Sequence, residues 1–168
     1  YDYDISAFLE SLKELKLGGV DFQFNVIGIF SEEVKAQISN MGLDSVVSYK
    51  GYLPHGEAIQ YSQNADLLLL VIPKVKNNKL IYSGKLFEYI ATGNPVLCIG
   101  PLDGDAAELV SENRFGASIF YSDKDGVKSF IKKVYKGEFR LVDSSLKLNY
   151  SRQDLSESIA KLLKRGER

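Results

Sequence analysis

The sequence predicts an α/β fold, a doubly wound parallel sheet of Rossmann-like type, and three observations carry that expectation. Stretches with helical periodicity alternate with short apolar runs through most of the 168 residues. The strongest runs, 66–72 and Val96–Ile99, are unbroken rather than alternating, as in parallel strands covered on both faces. Gly28, Tyr52-Leu53, Pro73 and the helix start at Ser83 each follow a strand run, so they can converge on the carboxyl rim where such sheets bind ligands.

Asp4 is placed to cap a first helix whose Ile5, Phe8, Leu9, Leu12 and Leu15 repeat at helical spacing before Gly18-Gly19. Residues 22–29 form an apolar strand with Gly28 near its end. Ser31 caps a second helix, with Glu32 and Glu33 where negative charge suits the dipole and Val34, Ile38 and Met41 as its buried stripe. A short strand at 46–49 leads into Gly51-Tyr52-Leu53, and Pro54 suits the first turn of a third helix running to about Asn64. Residues 66–72 then read as a central parallel strand ended by Pro73, followed by a polar, basic loop at 74–82.

The next stretch, 83–99, reads as one helix followed at once by one buried strand. Ser83 is a good N-cap, and Leu86, Phe87 and Ile90 give the helix an apolar face. Gly93 offers a left-handed stop, and Pro95 forbids continuation. Beyond it, Asp103-Gly104-Asp105 opens a helix to about Asn113, residues 117–121 give a last short strand, and Asp123 or Asp125 caps a helix through Val134. A terminal helix opens at Ser151, with Leu155, Ile159, Leu162 and Leu163 on its apolar side.

Composition narrows the function. Hydrophobic residues are 45% and charged residues 26%, as in one ordinary globular domain spanning 1–168. A net charge of -1 leaves no basic excess to neutralise phosphates, which argues against nucleic acid as a partner. The single cysteine, Cys98, lies inside an apolar run; it reads as a small buried hydrophobe in a reducing compartment. No run approaches the ~20 apolar residues of a membrane span. The start at Tyr1 rather than Met, on what reads as a helix, suggests a piece of a longer polypeptide. His55 is the single histidine, with no acid beside it in sequence, and reads as exposed or capping; no Cys/His cluster suggests zinc.

The chemistry concentrates at the start of the 83–92 helix. Its first turn presents unpaired N–H groups and the positive end of the dipole, which together form an anion site. Gly84 allows close approach of a phosphate, Lys85 adds a cation, and Glu88 one turn on can accept from vicinal hydroxyls such as those of a ribose. An ordinary capped surface helix with a Lys85–Glu88 pair accounts for the same residues.

The run 84–97, Gly-Lys-Leu-Phe-Glu-Tyr-Ile-Ala-Thr-Gly-Asn-Pro-Val-Leu, resembles the K-x-x-E-Y-x-A-x-G-x-P-V signature of GT-B glycosyltransferases of the GT4-like group. Further resemblance lies in 24–28 to the second strand of that family's donor domain, in 47–54 to V-x-F-x-G-x-L-P, and in 64–69 to A-D-V-x-L-x-P. Glu108-Leu109-Val110 with Gly116, and the lead-in at Tyr150, continue it. The resemblance implies one half of a GT-B fold, the C-terminal domain that binds a nucleotide-diphosphate sugar. By position, Glu88 would hold the ribose hydroxyls, the backbone at Ser83, Gly84 and Leu86 the diphosphate with Lys85 beside it, and Tyr52 and Leu53 would flank the base near Gly28. It implies sugar transfer with retention, no cofactor beyond the donor substrate and no required metal. A bacterial cytoplasmic setting in surface-polysaccharide synthesis is also implied, with an absent N-terminal acceptor domain that could touch the inner membrane. Leu80 stands where many members carry the first acid of an E-x7-E pair, and the family's first donor-domain strand precedes anything seen here. A GT-B-like nucleotide-sugar epimerase and a non-catalytic Rossmann-like binding module are the competing readings. A dehydrogenase is disfavoured because no G-x-G-x-x-G follows a predicted strand.

Overall fold

The computed structural model of the chain describes residues 3–75 and 83–139. Within them, helix and strand alternate: α1 (Ser6–Leu17), β1 (Phe24–Ile27), α2 (Glu32–Asn40), β2 (Val47–Gly51), α3 (His55–Gln63), β3 (Leu68–Val71), α4 (Gly84–Thr92), β4 (Val96–Ile99), α5 (Asp105–Glu112), β5 (Gly116–Ile119) and α6 (Lys124–Tyr135). All strand pairings are parallel, β1 with β2 in one sheet and β3-β4-β5 in another. The predicted loop positions 76–82 and the helix from Ser151 lie outside the described residues.

β4 is the centre. Its four residues are buried, and they alternate between two cores as the strand period requires. Leu97 and Ile99 join Phe8, Leu9, Leu12 and Leu15 of α1, Ile38 of α2 and Val127 and Phe130 of α6 on one face. Val96 and Cys98 join Leu86 and Ile90 of α4, Ala106 and Val110 of α5, and Leu70 of β3 on the other. Helices on both faces of parallel strands are the doubly wound arrangement that the alternation predicted. Burial pushes the Cys98 thiol up to about 12, against a weaker lowering by Ser118, so it packs as a hydrophobe.

Local differences from the sequence reading have local causes. Ile5, not Asp4, is the N-cap of α1; Asp4 still accepts from the Ser6 amide at 3.1 Å, but its carboxylate is drawn to Lys74 at 2.7 Å. The strand predicted over 22–29 spans only Phe24–Ile27, with a shift in its register against β2 between Val26 and Ile27. Asp66 lies outside β3, and the last strand begins at Gly116 rather than Ala117 and ends at Ile119. Gly104 is the N-cap of α5, and Asp123, not Asp125, caps α6 by accepting from Gly126 at 2.8 Å. The largest difference concerns β3. Predicted to be central, it is the edge of its sheet among the described residues, and its burial alternates between full and partial.

Two pieces of packing give measurable consequences. Gly116 pairs with Val96, and a Cβ at Gly116 would run into the Val96 carbonyl oxygen and backbone. Gly116→Ala should therefore destabilise the fold by about 1–3 kcal/mol, as overpacking in a tight interior does, read as a lowered denaturant midpoint. On the opposite face, Glu14 of α1 meets Lys124 and Lys128 of α6 at 2.7 and 2.6 Å. Hydrogen bonds from Lys124 and then Lys128 hold the Glu14 carboxyl at about 2, below its ordinary 4.5. A carboxyl lowered by folding contributes stability above its ordinary value and loses it as pH falls through its folded one. The melting temperature should thus fall as pH drops from 4.5 towards about 2, and Glu14→Gln should make that fall shallower.

Candidate functional site

The site predicted at the start of α4 is built as its sequence dictates at the helix ends. Ser83 is the N-cap, extended at φ -74° and ψ 134°, and its hydroxyl accepts from the Lys85 amide at 3.3 Å. Gly93 ends the helix in the left-handed region at φ 77°, where a side chain would be strained. Between these ends, Leu86 and Ile90 are buried and fix the helix on β3 and β4, whereas Phe87 is only half-buried. Asn94 then donates from Nδ2 to the carbonyls of Ser62 (2.8 Å) and Gln63 (2.9 Å), holding the end of α3 against the α4–β4 turn.

With the buried face so fixed, Gly84 and Lys85 are exposed at the helix start, and nothing lies within 4 Å of a Cβ built on Gly84. The first turn is open to an approaching anion. Glu88 is half-buried one turn on, and its neighbour Tyr89, whose hydroxyl pKa is raised by burial and then by the Glu88 charge, closes the inner side.

The loop after β2 lies opposite. Gly28 and Gly51, at the carboxyl ends of β1 and β2, have φ of 107° and 67°, and the Gly28 amide donates to the Gly51 carbonyl at 2.7 Å. That bond ties the two strand ends together. Beyond it Tyr52 is 84% exposed and Leu53 half-buried, followed by Pro54 as the N-cap of α3 and His55 as its first residue. His55 Nε2 lies 3.9 Å from Glu88 Oε1. Of the predicted residues, the structure therefore brings Ser83, Gly84, Lys85, Leu86 and Glu88 together on one helix. It joins Gly28 to the loop carrying Tyr52 and Leu53, and joins that loop to Glu88 through His55. Ser83 and Lys85 also line a cavity with Ile27 and Ile29 from the end of β1.

His55, expected to be exposed or capping, has a side chain 72% exposed at the start of α3. The acid it lies beside, Glu88, is 33 positions away along the chain and is brought there by the packing of α3 against α4. The predicted Lys85–Glu88 pair is not formed among the described residues, where His55 Nε2 lies 3.9 Å from the Glu88 carboxylate. Lys74, in the basic stretch after β3, is held by Asp4 at 2.7 Å and lies over the Tyr121 ring at 5.1 Å.

No protein-family model matches the chain, and no curated protein matches it in sequence. Its structure does match solved structures. A lipopolysaccharide outer core galactosyltransferase, WaaB in its apo form, superposes with a TM-score of 0.61 at 16% identity over 83% of this chain. WaaG, a glycosyltransferase involved in lipopolysaccharide biosynthesis, gives 0.62 at 18% over 87%, and TarM gives 0.68 at 15% over 96%. The chain spans 38%, 36% and 32% of those three chains. At such identities the likeness is one of fold: this chain has the fold of one half of a GT-B glycosyltransferase.

Removing the Ser83 hydroxyl tests the helix start by itself. Ser83→Ala should cost about 0.5–1 kcal/mol in an unfolding titration, the lower part of the range for lost N-caps, because the bond is long and exposed. Ser83→Gly should cost only about a few tenths of that unit.

Proposed function

We propose that this chain is the donor-binding half of a glycosyltransferase that moves a sugar from a nucleotide-diphosphate sugar to an acceptor in bacterial surface-polysaccharide synthesis. The single observation that carries the reading is the start of α4. A capped, open helix N-terminus with Lys85 exposed beside it is followed one turn later by Glu88, and His55 faces that carboxylate from the neighbouring loop. Anion first and hydroxyl acceptor next is the order in which a nucleoside diphosphate presents its diphosphate and ribose. Support also comes from the fold, and from two structural neighbours whose names place them in lipopolysaccharide synthesis.

In this reading the diphosphate lies on the amides at Ser83 and Gly84, with Lys85 beside it; the amide of Leu86, expected to join them, instead donates to the Ser83 carbonyl at 2.9 Å. The ribose hydroxyls donate to Glu88, and the base lies against Tyr52 and Leu53 near Gly28. When the sugar leaves, charge grows on the diphosphate, and the fixed amides and helix dipole stabilise that charge without reorganising. Glu88 supplies orientation by accepting, with His55 Nε2 3.9 Å from its carboxylate. The acceptor would be bound by a second domain, so this half by itself binds donor weakly and does not turn over. The reading needs no metal or further cofactor and puts the protein in the cytoplasm. No described helix is long and apolar enough to cross a membrane, so contact with the inner membrane would come through the second domain.

Calorimetric titration with UDP, GDP and ADP tests the proposal. One nucleotide should bind selectively, and Glu88→Ala should weaken it by about 1–3 kcal/mol, the range for a hydrogen bond to a charged group. Equal binding by Glu88→Ala, or no binding of any of the three, would overturn the assignment.

A further inference from the structure

His55 stands where the two sides of the candidate site meet. It opens α3 directly after the loop that carries Tyr52 and Leu53, and its Nε2 lies 3.9 Å from Glu88 Oε1 on α4. The fold sets the place of both groups. The amides of Glu57 and Ala58 each donate to the Pro54 carbonyl at 3.0 Å, which closes the first turn of α3 around His55. At the far end of that helix, Asn94 ties the Ser62 and Gln63 carbonyls to the α4–β4 turn. Leu86 and Ile90, which flank Glu88 along α4, are buried and hold its helix in place.

The separation is the informative quantity. At 3.9 Å the imidazole is too far away to donate to the carboxylate directly, since N–H···O bonds span about 2.7–3.2 Å. An oxygen atom about 2.8 Å from each would fit between them, with an angle of about 90° at that oxygen. Such an atom meets two opposite demands. A carboxylate can only accept, and its negative charge favours a proton on the facing Nε2, which then donates. The group between must therefore donate to one and accept from the other. An alcohol does both, whereas a phosphate or carbonyl oxygen cannot donate and an ammonium cannot accept.

Exposure fits a ligand contact better than a structural pair. The His55 ring is largely in solvent while Glu88 is half-buried, so a ligand can reach the ring and find the carboxylate already placed. Exposed pairs at such a distance add little to stability.

We propose that His55 and Glu88 together grip one hydroxyl of the nucleotide's ribose, and that His55 thereby makes the site select ribonucleotides over deoxy forms. This rests on the donor-binding reading, in which Glu88 accepts from the ribose hydroxyls. The gripped hydroxyl donates to Glu88 and accepts from His55 Nε2. A C–H in the same place satisfies neither group.

The test is calorimetric titration of the 168-residue chain with UDP, GDP and ADP, and with the 2′-deoxy and 3′-deoxy form of each. It is run on the unchanged chain, His55→Ala and His55→Gln. The ribonucleotide that binds should exceed one of its two deoxy forms by about 10-fold in affinity. His55→Ala should weaken that ribonucleotide about 3–10-fold and leave the deoxy form unchanged. His55→Gln, whose amide can bring an N–H near the place of Nε2, should restore the preference. Equal weakening of ribo and deoxy forms by His55→Ala would mean that His55 acts on the site as a whole. An undiminished preference would mean that it touches no hydroxyl. Either result overturns the proposal while donor binding stands. Absence of nucleotide binding, or binding that is indifferent to Glu88→Ala, overturns the proposal together with the reading beneath it.

Discussion

The complete burial of β4 is the constraint on which the rest of the structure depends. Four apolar residues with a strand on each edge and helices on both faces leave no direction open to water. Period-two alternation sends Leu97 and Ile99 into one core and Val96 and Cys98 into the other, so one short strand holds the two helical layers together. The close approach at Gly116 follows from the same crowding, as does the need for a helix stop immediately before the strand. Gly93 and Pro95 give that stop, and Asn94 uses the turn to hold α3.

That arrangement also makes the candidate site rigid on one side and open on the other. α4 is fixed by Leu86 and Ile90, which are deeply buried, so its first turn is presented at the rim at a defined angle while Gly84 and Lys85 remain in solvent. A dipole and amides fixed in this way cost little to reorganise when charge develops in front of them. The loop after β2 is fixed more lightly, by the Gly28–Gly51 bond and by α3, a helix with no fully buried residue. The two sides of the site therefore differ in stiffness, with the anion side held by the core and the side bearing Tyr52 and His55 held by a few contacts.

Much of the architecture was legible along the chain because it rests on local rules. The periodicity of Ile5, Phe8, Leu12 and Leu15 gives α1, the Ser31 cap opens α2, and the Ser83 cap with the Gly93 stop bounds α4; each acts within one or two turns of itself. The apolar run of β4 was equally plain, since only a strand covered on both faces tolerates it. Cap positions and strand ends were less legible. Asp4 gave up the cap position to meet Lys74, 70 residues away, and β1 stops at Ile27 although the sequence continues apolar at Ile29 and Phe30.

The sequence by itself determined the α/β alternation, the limits of α4, the apolar character of β3 and β4, and the residue types at the helix start, because propensity, capping and hydrophobic period act between near neighbours. Only the tertiary structure decided which distant groups meet: His55 with Glu88, Glu14 with Lys124 and Lys128, Asn94 with the end of α3. It also decided that β3 is an edge strand among the described residues, paired with β4 alone. The reason is the same in each case: such pairings depend on how elements cross and which face each turns inward, and that is set by the whole core rather than by residues a few positions apart.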